Sequence, residues 1–351
     1  MIDFKRKVYF IAEIGSNFDQ SLDRAKHLIN LAKDSGADAV KFQHYKADSL
    51  VSDHGFKSMG GQQSHQANWK KSVYDTYDDA SLDRDWTSEL FNEARQIELD
   101  FLTSPYSIEL VDYVDPYVPA HKIGSGDITW IEIVEYIAAK QKPVLLATGA
   151  SSMDDVRRAV DAILAINPQL VLMQCNTNYN VDDENFKSQQ LNVLKSFANE
   201  YPQVTLGLSD HTPGHVTVLG AVTLGARVIE KHFTDCIDRD GPDHPFSMTP
   251  STWREMVDRT RELEHALGDG IKKIEDNEKE TVVVQRRCLR AANFLKDGKV
   301  LGKKDIVSLR PCPEGAIEPY RLNEIIGSVL TSSLEYGEQI KFSDLDLKNN
   351  D

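Results

Sequence analysis

Cysteine is scarce in this chain of 351 residues: Cys175, Cys236, Cys288 and Cys312 are the only four, and none form a CxxC pair. That excludes a disulfide scaffold and a cysteine-rich zinc module, and it reads as reduced thiols in a cytosolic protein. Long apolar runs are missing as well. No stretch of 18 or more apolar residues occurs, so nothing reads as a membrane span. The first residues, MIDFKRKVYFIAEIGSN, hold a short apolar run broken at Glu13, and no secretory signal is expected there. Positive charge is in short supply, with 40 Lys and Arg against 55 Asp and Glu and a formal net charge of −15. Such a balance works against nucleic acid or an anionic membrane surface as partner. An anionic small substrate has to be met by a few locally placed cations.

What the chain does contain is a repeating pattern from residue 8 to about residue 267, in which a short apolar run ends in polar residues and an amphipathic helical segment follows. The eight runs are 8–13, 39–43, 101–104, 121–125, 144–148, 171–176, 205–211 and 228–232. Between them, Leu22, Ala25, Leu28, Ile29 and Ala32 share a helical face, as do Trp86, Leu90, Ala94 and Ile97. Val156, Val160, Ile163 and Leu164 make another stripe, and Trp253, Met256, Val257, Thr260 and Leu267 the last. Thr212-Pro213 and Thr249-Pro250 each put a capping hydroxyl before a proline, which predicts two helix starts. Gly36 and Gly268 stand where helices should stop.

Eight such units over about 260 residues predict a (β/α)8 TIM barrel at residues 1–268. A doubly wound open sheet is the competing reading. The barrel is favoured because polar residues gather at the C-terminal ends of nearly all eight runs, and only a barrel brings those ends to one mouth. The loop at 44–80 is long and holds GlyGlyGlnGln at 60–63. Its length suggests a lid or small subdomain. Disorder is the bland alternative, and Trp69, Tyr74 and Tyr77 argue against disorder. The stretch GDGIKKIEDNEKE makes residues 269–284 a charged linker or helix. Residues 285–351 read as a small β-rich module, with strands at 289–292 and 306–309 between turn-forming segments.

Side chains alternate along a strand, so Lys41 and Gln43 share a face, as do Ser209 and His211, and Glu230 and His232. Two neutral imidazoles, His211 and His232, converging at a barrel mouth form a candidate divalent-metal site. The bland alternative for either histidine is a hydrogen-bonded structural residue. His44, His54, His65 and His244 fall in loops on this reading, whereas His27 and His265 are solvent-facing helical residues. Lys41 and Lys122 sit inside apolar strands, which is costly unless each meets an anion. An internal salt bridge to Glu13 or Glu230 and a substrate phosphate or carboxylate are equally good partners, and a Schiff-base lysine is a third option. Ser104, Gly124, Ser125, Gly126 and Thr148 add hydroxyls and close backbone approach at the rim. Asp243 reads either as an orienter of a sugar hydroxyl or as a turn residue.

The run of motifs resembles the N-acetylneuraminate (sialic acid) synthase family, including legionaminic and pseudaminic acid synthases, over nearly the whole chain. The matching pieces are AlaGluIleGlySerAsn (12–17), ValLysPheGln (40–43), ThrSerProTyrSer (103–107) and LysIleGlySerGlyAsp (122–127). They continue with GlyLeuSerAspHisThr (207–212), GluLysHisPheThrAsp (230–235), ArgAspGlyProAsp (239–243) and SerMet (247–248). The tail resembles the antifreeze-like (SAF) domain through LeuArgPro (309–311) and GlyAlaIleGluPro (315–319). The resemblance implies a transferase that condenses phosphoenolpyruvate with an N-acetylated amino sugar. It implies a divalent metal, manganese first with magnesium or cobalt as substitutes, held by His211 and His232. It also implies a homodimer whose C-terminal domains cap the partner's barrel, with Arg310 reaching the sugar's N-acyl group. Glu13, Lys41, Gln43, Ser104, Lys122, Ser125 and Asp243 would line the site, with Asp127, Thr148, Tyr179, Ser209 and Glu230 beside them.

Three positions depart from the common pattern: CysAsnThrAsnTyrAsn at 175–180, AlaThrGly at 147–149 and Asp127. Because they face substrate in the family, they bear on which sugar is used. Three other functions compete. One is a phosphoenolpyruvate synthase acting on a phosphorylated aldose, the second is a Schiff-base aldolase, and the third is a carbohydrate- or ice-binding protein without catalysis.

Overall fold

A computed structural model describes residues 2, 4, 7–60, 62, 66–67, 69–179 and 184–346. His65, Gly61 and Gln63 of the GlyGlyGlnGln stretch at 60–63, and Asn180 lie outside the described residues. The chain divides after Gly268 into two compact units, residues 1–268 and 269–351.

The first unit is built on eight parallel strands: β1 (Tyr9–Glu13), β2 (Ala39–His44), β3 (Asp100–Pro105), β4 (His121–Ile123), β5 (Val144–Ala147), β6 (Leu170–Cys175), β7 (Thr205–Asp210) and β8 (Ala226–His232). Their order is β3-β2-β1-β8-β7-β6-β5-β4, so the first strand pairs with both the second and the last. That pairing bends the sheet into a nearly closed barrel and rules out the open doubly wound order. Amphipathic helices cover its outside. The helix Leu22–Asp34 starts on Ser21, whose hydroxyl accepts from the Arg24 N–H, and buries Ala25, Leu28, Ile29 and Ala32. Met153–Leu164 buries Val156, Ala159, Val160 and Ile163, and Pro250–Leu267 buries Trp253, Met256, Val257 and Thr260.

Alternation along the strands sorts the barrel interior into layers. Tyr9, Ile11, Ala39, Leu102, Ala120, Leu145, Val171, Met173 and Val228 form an apolar floor. Two residues further along the same strands the inward positions become Glu13, Lys41, Ser104, Lys122, Cys175 and Glu230, so the polar layer lies at the C-terminal ends.

Several expectations need correction. Thr212-Pro213 starts no helix: the helix begins at Val216, after a bend containing Gly214 at φ +67°. The Thr212 hydroxyl is instead engaged by Asp210 and Thr217. Leu267 is 42% exposed, because the helix ends at Gly268 beyond the part that packs on the barrel. His44 is no loop residue. It ends β2, buried between the hydroxyls of Thr103 and Thr87, with burial holding its imidazole down at about 4. His244 is likewise buried, bonded to Thr234 and Asp19.

The second unit has its own core, including Leu289, Leu295, Leu301, Ile317, Ile325, Leu330 and Ile340. Antiparallel pairs join β9 (Cys288–Ala291) with β10 (Ile306–Leu309), and β11 (Val329–Leu330) with β12 (Leu345–Asp346). A short helix, Lys279–Gln285, precedes these strands within the same unit. Among the described residues, no helix is long and apolar enough to cross a membrane.

Candidate active site

The polar layer opens into a cavity of about 420 Å³. Glu13, Lys41, Gln43, Ser104, Lys122, Ser125, Asp127, Tyr179, Ser209, His211, Glu230, His232 and Asp243 all line it.

Four charged side chains form its base. Lys41 Nζ lies 2.7 Å from Glu13 Oε2 and 3.7 Å from Glu230 Oε1, and Lys122 Nζ donates to Glu230 Oε1 at 3.0 Å. Gln43 Nε2 donates to Glu13 Oε1 at 2.6 Å, and Lys41 also donates to Ser104 Oγ at 3.2 Å. All four charges are buried, and two ammonium groups balance two carboxylates. The balance is uneven locally. Burial alone would raise Glu230, but Lys122 and then Lys41 hold it down at about 2. Burial pushes Glu13 up to about 7, because Lys41 offsets only part of the desolvation and Glu230 adds repulsion. Lys41, between both carboxylates, is raised despite its own burial. The salt-bridge reading of the lysines therefore holds, and both still face the cavity.

Above this base stand the two histidines, with ring centroids 5.5 Å apart. Burial, with His232 adding a little, holds His211 at about 4, and burial lowers His232 too, so both are neutral at neutral pH. His211 Nδ1 lies 3.0 Å from the Asn176 carbonyl. A carbonyl only accepts, so Nδ1 carries the hydrogen and Nε2 keeps its lone pair. This is the usual outer hydrogen bond of a metal-ligating imidazole. His232 Nδ1 is buried without a hydrogen-bond partner among the described residues, 3.7 Å from Asp243 Oδ2. Among those residues no group of three or more His, Cys, Asp or Glu is placed to hold a metal. An ion here would have two protein imidazoles and would take its other ligands from substrate and water.

Asp243 is more than a turn residue. Its Oδ2 accepts from both the backbone N–H and the hydroxyl of Ser16 at 2.9 Å. Gly15, at φ +54°, permits this approach, since a Cβ there would stand 2.4 Å from Asp243 Oδ2. Asp127 faces the cavity with its carboxyl pushed up to about 6 by burial. Ser125 Oγ accepts from the Gly149 N–H at 2.9 Å. Thr148 does not belong to the lining: its hydroxyl donates to the Met173 carbonyl at 3.0 Å, a strand-end tie. Arg310 lies in the second unit and is exposed there.

The sequence reading names Trp69 and Tyr77 as part of a lid or subdomain and Tyr179 as a site residue, but gives no role to Tyr45, Tyr106 or Phe246. Tyr45, Trp69, Tyr77 and Tyr106 line the cavity together with Phe246. Tyr45 meets Tyr77 and Tyr106 edge-on, with centroids 5.6 and 5.9 Å apart, and Trp69 meets Tyr77 at 5.8 Å. Tyr179 packs on His211 at 4.5 Å, and Phe246 on His232 at 4.8 Å. The available signal was the density of aromatics in the 44–80 loop, whose return over the mouth no local pattern encodes.

Comparison with known proteins agrees with this geometry. The NeuB family profile matches residues 28–272 and the SAF domain profile residues 286–346. The chain is 33% identical over 335 residues to the N,N'-diacetyllegionaminic acid synthase of Legionella pneumophila, covering 94% of this chain and 92% of that protein. It is 32% identical over 345 residues to a pseudaminic acid synthase of Campylobacter jejuni, covering 97% of both. A solved N-acetylneuraminic acid synthetase from Leptospira borgpetersenii superposes with a TM-score of 0.68 at 25% identity, over 79% of this chain and 90% of that one. The profile spans well over half of the sequence, and the chain belongs to the NeuB family, carrying a SAF domain at its C-terminal end.

Proposed function

We propose that the protein is a nonulosonic acid synthase, which joins C3 of phosphoenolpyruvate to the aldehyde carbon of an N-acetylated amino sugar. Water adds at C2 and phosphate leaves by C–O cleavage, giving a nine-carbon sialic-type acid. The observation that carries this reading is one cavity holding two buried lysines, two carboxylates of opposite proton affinity and two neutral imidazoles.

Lys41 and Lys122 are the cations for the phosphate and carboxylate of phosphoenolpyruvate, and they compensate locally for a net charge of −15. Glu13, with a carboxyl near 7, can hold or release a proton at the reacting end. Asp127 and Asp243 offer acceptors for the sugar's hydroxyl or amide hydrogens, and the aromatic wall excludes water from the reacting carbons. His211 and His232 fit a divalent cation, which we take to be manganese; when bound, it would polarise the aldehyde oxygen and orient the two reactants. A homodimer in which the SAF domain closes the partner's barrel is part of the proposal, with Arg310 meeting the N-acyl group. Arg310→Ala should then weaken sugar binding far more than phosphoenolpyruvate binding in titrations, and equal losses would make Arg310 structural.

The Schiff-base alternative fits the lysines poorly. Each is ion-paired with a carboxylate at 3.0 Å or less, and Lys41 is raised rather than lowered, which keeps its amine protonated. Borohydride trapping with pyruvate should therefore leave the chain unlabelled. The deciding assay is phosphate release from phosphoenolpyruvate with manganese, run with N-acetylmannosamine and with 2,4-diacetamido-2,4,6-trideoxymannose. Turnover abolished by EDTA supports the proposal, and the faster sugar names the substrate. Failure with both, and with the pseudaminic precursor, would shift the assignment to a phosphorylated aldose.

A further inference from the structure

The outward faces of β7 and β8 carry a charged pair that the chemistry inside the barrel leaves unused. Asp210 and Lys231 are register partners on the two strands. Side chains alternate, so these two point away from the cavity while Ser209, His211, Glu230 and His232 point into it. Lys231 Nζ stands 2.5 Å from Asp210 Oδ2, and the two side chains are 1% and 0% exposed. A buried ion pair is a costly way to join two strands, since desolvation offsets most of its attraction and apolar residues of similar volume often do better. Stability alone is a weak reason for it to be here.

The surrounding bonds supply a better one. Asp210 accepts from the Thr212 N–H at 3.0 Å and from the hydroxyls of Thr212 and Thr217 at 2.9 and 2.6 Å. Lys231 Nζ also donates to the Thr212 carbonyl at 2.5 Å. The chain is thus held at the residue before His211 and at both backbone polar groups of the residue after it. Lys231, the residue before His232, holds the Asp210 carboxylate and the Thr212 carbonyl, and Asp210 in turn holds the Thr212 N–H. Thr217 ties the helix Val216–Thr223 into the same knot.

We infer that the Asp210–Lys231 pair sets the spacing of the two imidazoles and, through it, the affinity of the barrel for a divalent cation. This rests on the reading of His211 and His232 as metal ligands. Neither Asp210 nor Lys231 lines the cavity, so both are positioning residues. A site with two protein donors depends on their spacing more than a closed four-ligand site does. No third acidic, histidine or cysteine ligand among the described residues corrects an error.

The test measures manganese binding to the full chain, from the loss of the free Mn(II) EPR signal on titration. It compares wild type with the double variant Asp210→Asn/Lys231→Met, which removes both charges and leaves no lone buried ion, and with Thr217→Val. The double variant should bind manganese roughly 10- to 100-fold more weakly, with an unchanged far-UV circular dichroism spectrum. Its turnover should return when manganese is raised by the same factor, which a merely damaged fold would not allow. Thr217→Val removes one bond to Asp210 and should cost roughly threefold to fivefold in affinity. A folded double variant that binds manganese as wild type does overturns the inference. If that variant does not fold, unchanged affinity in Thr217→Val overturns it instead. Wild-type protein that binds no manganese, magnesium or cobalt defeats the metal reading first, and the inference falls with it.

Discussion

Replacing Glu13 by glutamine should alter how the barrel's stability depends on pH. Glu13 is 1% exposed, and burial pushes its carboxyl from the ordinary 4.5 to about 7, with Lys41 opposing and Glu230 assisting. A carboxyl raised in the folded state binds more protons there than in the unfolded chain across the interval between the two values. Its contribution is therefore most favourable below about pH 4.5 and is lost as pH climbs through 7. Shifting one carboxyl from 4.5 to about 7 removes roughly 2–3 kcal/mol of wild-type stability between pH 5 and pH 8. Glu13→Gln has no such proton to lose. Relative to wild type the variant should gain roughly 2–3 kcal/mol over that range, whatever constant cost comes from depriving Lys41 of a partner. Urea unfolding followed by tryptophan fluorescence isolates the right unit, because Trp69, Trp86, Trp130 and Trp253 all lie within residues 1–268. A difference that changes by less than about 1 kcal/mol from pH 5 to pH 8 would refute the reasoning. Glu13 would then be ionised throughout, held by Lys41 against the cost of burial.

Lys41→Ala and Lys122→Ala should each raise the Michaelis constant for phosphoenolpyruvate by roughly tenfold or more, the worth of a charge-assisted hydrogen bond. Constants equal to wild type would remove the lysines from substrate binding. Asp127 accepts from the sugar more strongly when ionised, and burial pushes its carboxyl up to about 6. Accordingly, kcat/KM for the sugar should fall as pH drops through 6, and Asp127→Asn should abolish that limb; an acid limb surviving the substitution belongs to another group. Trp253 is fully buried and packs edge-on against Phe233 at 5.5 Å. Trp253→Ala should cost about 3–5 kcal/mol by urea unfolding read by circular dichroism, and a loss under about 1 kcal/mol would mean the helix layer collapses around the gap.

The barrel is legible in the chain because each strand carries two signals at once, an apolar stretch and a polar residue near its C-terminal end. Parity then assigns faces: Glu230 and His232, two apart, reach the same cavity, while Lys231 between them does not. What parity leaves open is which atoms meet. Lys41 reads equally well as a salt-bridge partner or a substrate cation, and the folded chain shows why, since its ammonium is paired with Glu13 and faces the cavity as well. The aromatic wall was only partly legible for a related reason. Trp69 and Tyr77 belong to a segment whose short helices fold back over the mouth, and their neighbours across the cavity, Tyr45 and Tyr106, come from just beyond β2 and β3.

Thr212-Pro213 and Thr249-Pro250 separate local from distant information most sharply. Locally the two are the same signal, a hydroxyl followed by a proline. At Thr249 nothing else competes: the segment caps a helix, and its N–H donates to the Thr252 hydroxyl at 2.9 Å. At Thr212 a buried carboxylate two residues earlier takes both the N–H and the hydroxyl, and a lysine 19 residues later takes the carbonyl. A buried anion gains more from those donors than a helix end would, because leaving it under-satisfied in a low-dielectric interior costs more than a lost cap. The helix therefore starts late, and the residue between the anion and its donors is His211. The same competition that defeats the local rule also anchors the imidazole.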